Sequence, residues 1–131
     1  MTSPLVEYLV DELAALGHAQ GRRMFSGHGL YLDGMIVGLV IDETLYLKTD
    51  AVNRPAFEAA GMAPFTYENR GRQVALPYWE APADVVEEPE QLRIWVAAAA
   101  AASRRASAAA PKPKRGKRSS PKRSSPKRPF P

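Results

Sequence analysis

Leu5, Val6, Leu9, Leu13 and Leu16 recur at the three- and four-residue spacing of one helix face, with Glu7, Asp11 and Glu12 turned the other way. Ser3 and Pro4 in front form an N-cap and first-turn pair, and Gly17 ends the run. From Gln20 the period shortens. Apolar segments rich in β-branched and aromatic residues are cut by Gly27, Gly29, Asp33-Gly34 and Asp42-Glu43, which predicts strands near 21–25, 29–32, 35–41 and 44–48. Asp33-Gly34 is a hairpin signal, because a two-residue primed turn needs positive φ at both positions.

Residues 50–60 read as a short helix closed by Gly61, with Pro55 delaying its regular part. Phe65 to Asn69 and Gln73 to Tyr78 flank Arg70-Gly71 and predict a second hairpin. After a Pro-rich turn, Pro89 opens a last helix whose positive end is favoured by Glu87, Glu88 and Glu90. Its buried stripe is Leu92, Trp95, Val96 and Ala99; Ala97 to Ala102 have high helix propensity, and the helix runs on towards Ala110.

Strands arriving in hairpins, not in βαβ units, define an α+β fold. The expected architecture is a two-layer sandwich of an antiparallel sheet with helices on one side, in the order α-β4-α-β2-α, occupying residues 1–102. One such domain is what 131 residues hold. Residues 111–131 read as a disordered tail, since prolines, cations and serines leave almost no apolar surface to offset the entropy of ordering; Phe130 is the one large apolar residue there.

Charge follows the same division. The net +4 conceals −7 up to Ala102 and +11 beyond it, where no carboxylate occurs. The absence of cysteine removes disulfide frameworks and thiolate zinc sites and fits a reducing cytoplasm. The acidic N-terminus is unlike a signal peptide, and runs without a strongly polar residue, such as Gly34 to Ile41, are far short of the roughly 20 residues that span a bilayer. The expectation is a soluble cytoplasmic protein without a membrane partner.

Candidate chemistry in the folded part is sparse. His18 and His28 are too few for a metal site, Gly27-His28-Gly29 lacks the pattern of a phosphate loop, and no catalytic constellation or cofactor motif stands out. No enzyme, metal or cofactor is expected. Arg22, Arg23, His28 and Lys48 are the candidate contacts for an anion or a partner, and alternation that put Arg22, Lys48 and Arg72 on one face would make an anion site. The competing reading makes His28 a turn residue and pairs the cations with the excess carboxylates. Met24, Phe25, Tyr31, Tyr46, Phe57, Phe65, Tyr78 and Trp95 read as core packing in preference to a stacking surface.

The block Arg22-Arg23-Met24-Phe25-Ser26-Gly27-His28-Gly29-Leu30-Tyr31 closely resembles the signature of the TfoX/Sxy family N-terminal domain. Leu45 to Asp50, Pro64-Phe65 with Tyr67 ahead of Gly71-Arg72, and Tyr78 followed by acidic Asp84 to Glu90 and then Leu92 and Trp95 agree in order and spacing. The resemblance implies a two-layer α/β domain and kinship with regulators of natural competence that act with a transcription factor, the cyclic-AMP receptor protein. Those regulators carry a second helical domain where this chain passes into its basic tail.

Within the tail, Lys112, Lys114, Arg115, Lys117, Arg118, Lys122, Arg123, Lys127 and Arg128 fall inside seventeen residues, and Arg118-Ser119-Ser120-Pro121-Lys122 is repeated as Arg123-Ser124-Ser125-Pro126-Lys127. The Ser-Pro-Lys-Arg units resemble linker-histone tail repeats. Cations on an extended chain track phosphates and release counterions, so about eight contacts on duplex DNA give a slope of roughly −7 in log K against log salt. DNA or RNA is therefore the expected partner of these nine residues, bound without sequence preference. The expected protein is a non-enzymatic regulator; the alternative is a protein-interaction or chaperone-like module that binds no nucleic acid.

Overall fold

The computed structural model describes residues 3–24 and 27–109. The disorder expected for residues 111–131, and the nine cations from Lys112 to Arg128, lie outside the described residues.

Helix α1 (Pro4–Leu13) begins as its sequence dictates: the Ser3 hydroxyl accepts a hydrogen bond from the Val6 amide at 3.0 Å, Pro4 occupies the first turn, and Val6, Leu9 and Leu13 are buried. It stops one turn earlier than the hydrophobic spacing predicts. The Leu16 amide bonds to the Leu13 carbonyl, so the chain tightens into a turn before Gly17. A Cβ at Gly17 would sit 2.6 Å from the Asp33 carboxylate, so a larger residue there would have to displace the side chain that accepts from the His18 amide.

Six strands follow the hairpin logic: β1 (Ala19–Met24), β2 (Gly27–Leu32), β3 (Met35–Ile41), β4 (Thr44–Lys48), β5 (Pro64–Asn69) and β6 (Arg72–Glu80). They form one antiparallel sheet in the order β1-β2-β3-β4-β6-β5. Asp33 and Gly34, at φ 51° and 82°, and Arg70 and Gly71, at 55° and 78°, turn two of the hairpins with both residues left-handed. The β3–β4 turn does the same with Asp42 and Glu43, at 52° and 56°, and without a glycine.

Helix α2 (Arg54–Ala59) starts after Asn53, as Pro55 leads one to expect. The segment read as a Pro-rich turn contains a further helix, α3 (Ala83–Glu87), before α4 (Pro89–Ala109). A five-residue helix is too short to show periodicity in sequence, and its anchors are tertiary. Val85 is buried, and the Tyr8 hydroxyl donates to the Val86 carbonyl at 2.7 Å.

The helices cover one face of the sheet: α1 packs on β1 and β2, α4 on β3 and β4, and α2 on β6. Leu9, Leu13, Leu30, Leu47, Phe57 and Leu92 are fully enclosed between the two layers, each worth about 1.5–3 kcal/mol relative to exposure. Phe57 joins α2 to α4 and the sheet, lying edge-on to Trp95 at 4.8 Å and tilted to Trp79 at 6.4 Å. Among the described residues no helix is long and apolar enough to cross a membrane.

Candidate ligand face of the sheet

The face of the sheet turned away from the helices is also apolar. Strand pleating sends alternate residues there, and a bulge keeps β3 in step. Leu30 pairs with Gly38 but Tyr31 with Ile36, which leaves Val37 as an extra residue. Val37 and Val40 therefore both enter the core, while Ile36, Leu39 and Ile41 face the open side.

These three β3 residues form the floor of a concave cavity of about 630 Å³, with Met24, Gly27 and His28 along one side. Phe65, Tyr67, Leu76 and Tyr78 of β5 and β6 line the other side. Strands β2 and β6 are three positions apart in the sheet, about 14 Å if it were flat, so contact with one cavity requires curvature. The β5–β6 register supplies bend. Pro64 pairs with Trp79 and Thr66 with Ala75, which places extra residues around Pro77 on β6.

Aromatic rings and cations complete the face. Phe65 stands edge-on to Tyr46, with centroids 5.1 Å apart. The Arg22 guanidinium lies 4.8 Å from the centre of the Tyr31 ring, and the Lys48 ammonium 5.1 Å from that of Tyr78. Burial pushes the Tyr78 hydroxyl pKa up, and the charge of neighbouring Tyr31 adds to the rise; burial likewise raises Tyr46, followed by the charges of Glu80 and Asp42. These phenols are neutral hydrogen-bond donors across the physiological range.

The structure thus divides the four candidate residues of the folded part. Arg22 and Lys48 share the open face, and pleating from Val74 puts Arg72 on the same side. His28 borders both the cavity and a shallow depression beside Asp42 and Glu43. Arg23 alternates to the opposite side of β1, away from Arg22 and Lys48, and stands directly across the β1–β2 hairpin from His28. Ion pairing is not what holds Arg22 and Lys48: among the described residues the pairs are Arg93 with Glu12 and Arg105 with Asp50. Among the same residues no cluster of three or more His, Cys, Asp or Glu side chains is arranged for a metal.

The core reading of these apolar residues holds for Phe57 and Trp95 and is corrected for five others. Met24, Tyr31, Tyr46, Phe65 and Tyr78 are half-buried on the open face, while Trp95 packs against the core and Phe25 lies outside the described residues. Period-2 alternation distinguishes two faces but does not say which one the helices will cover. On β2, β3 and β6 both are apolar.

A curved antiparallel sheet with every helix on one side and an apolar trough on the other defines a two-layer α+β domain with a binding-type concavity. Residues 11–103 match the TfoX N-terminal domain family, and the chain belongs to that family. A search of curated proteins finds no match.

Proposed function

We propose that this TfoX-family protein is a non-enzymatic regulator of transcription. Its basic C-terminal segment supplies sequence-independent affinity for nucleic acid, and its folded domain engages a transcription factor in the cytoplasm. The observation that carries this reading is the charge division. Helix α4 draws Arg104 and Arg105 into the folded body, so the split becomes −5 for residues 1–109 and +9 for residues 110–131. A body of that sign repels phosphate, and the affinity has to come from the nine cations between Lys112 and Arg128.

Gel-shift titration of the full chain and of a version ending at Ala110 tests this. At low salt the full chain retards duplex DNA and the shortened one does not; equal binding overturns the role of the segment. The concave apolar face favours a second reading, a protein-interaction module that needs no nucleic acid. Capture of the same protein partner by both versions, unchanged by nuclease and by salt, together with no retardation of DNA by either version, decides for that second reading.

A further inference from the structure

We propose that the open face of the sheet is a binding site for a small amphipathic anion, an acyl-chain carboxylate whose chain lies in the trough and whose head group sits between Arg22 and Lys48. The volume, about 630 Å³, falls in the range of small-molecule sites, and the floor made by Ile36, Leu39 and Ile41 offers an acyl chain no polar partner. Each methylene buried there raises affinity about fourfold until the trough is full.

Charge selects the head group. The folded body carries fourteen carboxylates, yet Glu68 and Glu80 are the two within strands, and pleating puts Glu80 alone on the open side. Arg22, Lys48 and Arg72 share that side. The first two are held over the rings of Tyr31 and Tyr78; Tyr78 lines the trough on one side and Met24, which shares the open side of β1 with Arg22, lines it on the other, so a cation stands beside each wall of the trough. Other occupants fit less well. A second copy of this face brings the same three cations against it, and the C-terminal segment brings nine more.

Calorimetric titration of the full chain with decanoate, 1-decanol and decyltrimethylammonium tests the proposal. Decanoate binds one per chain, at least tenfold more tightly than the alcohol, and the ammonium binds more weakly still. The double variant Arg22→Gln with Lys48→Gln keeps the C-terminal cations and loses at least tenfold. Leu76→Glu loses as much, whereas Leu76→Arg, equally intrusive, stays within threefold of the parent; far-ultraviolet circular dichroism checks that each variant is folded. Equal affinity for the three head groups overturns the proposal, as does a double variant that binds decanoate like the parent, which would move the anion to the C-terminal segment. A dimer by light scattering that Leu76→Glu dissociates also overturns it, because the face would then belong to a second copy. Each of these failures leaves the gel-shift result intact.

Discussion

Arg105 near the end of α4 grips the carboxylate of Asp50 with two donors, Nε at 2.5 Å and Nη2 at 3.0 Å, across fifty-five residues of sequence. Asp50 in turn accepts from the amides of Val52 and Asn53, and the Asn53 side chain closes the loop by accepting from the Asp50 amide and donating to the Lys48 carbonyl. The last turns of α4 are thereby tied to the link between β4 and α2. A bidentate pair of this kind is more specific than a single surface contact.

The pair makes the fold acid-sensitive in a defined window. The Arg105 hydrogen bonds, followed by those from the loop amides, lower the Asp50 pKa from 3.8 to about 2. A depressed folded-state pKa contributes stability that is complete above the unfolded value and is lost as pH falls through the folded one. Thermal unfolding at pH 5 and pH 2.5 reads this directly: Arg105→Gln loses less stability on acidification than the parent. At neutral pH Asp50→Ala is more damaging than Arg105→Ala, since it also strips the two loop amides. An identical acid response in parent and Arg105→Gln would show that the pair is not linked to folding.

The β3–β4 turn has room for improvement. Glu43 sits at φ 56° with a full side chain, where left-handed backbone costs a non-glycine residue about 1–2 kcal/mol. Glu43→Gly creates the Asp-Gly pair that such turns favour and raises stability by about 1 kcal/mol in urea unfolding, despite the added freedom of the unfolded chain. A loss of stability would mean that the Glu43 side chain supports the turn through contacts worth more than the strain.

Gly38 is the opposite case. It is buried on β3, and a Cβ there would lie 2.7 Å from the Tyr46 carbonyl of β4, backbone that cannot move without opening the sheet. Gly38→Ala costs about 1–3 kcal/mol. Gly21 on β1 is as crowded by distance, also 2.7 Å, but its neighbour is a side-chain methyl, Cγ1 of Val6, and not the backbone of the adjacent strand. Gly21→Ala therefore costs less. Equal losses in denaturant titrations of the two variants would count against this distinction between backbone and side-chain crowding.

The hairpins were legible because Asp33-Gly34 and Arg70-Gly71 announce their turn geometry locally, and α1 because capping and spacing agree. Three features were not. Helix α3 depends on Val85 and on the Tyr8 hydroxyl, a contact seventy-eight residues away in sequence. The trough depends on which face the helices leave bare and on bulges at Val37 and around Pro77, none of which has a local signature. Arg105 reads in sequence as the start of the basic tail, and only the return of α4 to Asp50 shows that it belongs to the body.

That last distinction is measurable in the salt dependence of nucleic-acid binding. Every cation that neutralises a phosphate adds about 0.9 to the slope of log K against log salt on duplex DNA. Lys122 and Arg123 lie in the segment proposed to contact phosphate, and replacing both with Gln lowers the magnitude of the slope by about 2. Arg105 is already matched by the Asp50 carboxylate, so Arg105→Gln leaves the slope of the full chain unchanged while weakening the fold. Fluorescence anisotropy with a labelled duplex between 50 and 200 mM salt, a range over which such contacts change affinity by orders of magnitude, separates the two classes of cation. A slope that falls equally for Arg105→Gln and for either tail substitution would mean that phosphate competes Arg105 away from Asp50, and that the basic surface begins on α4.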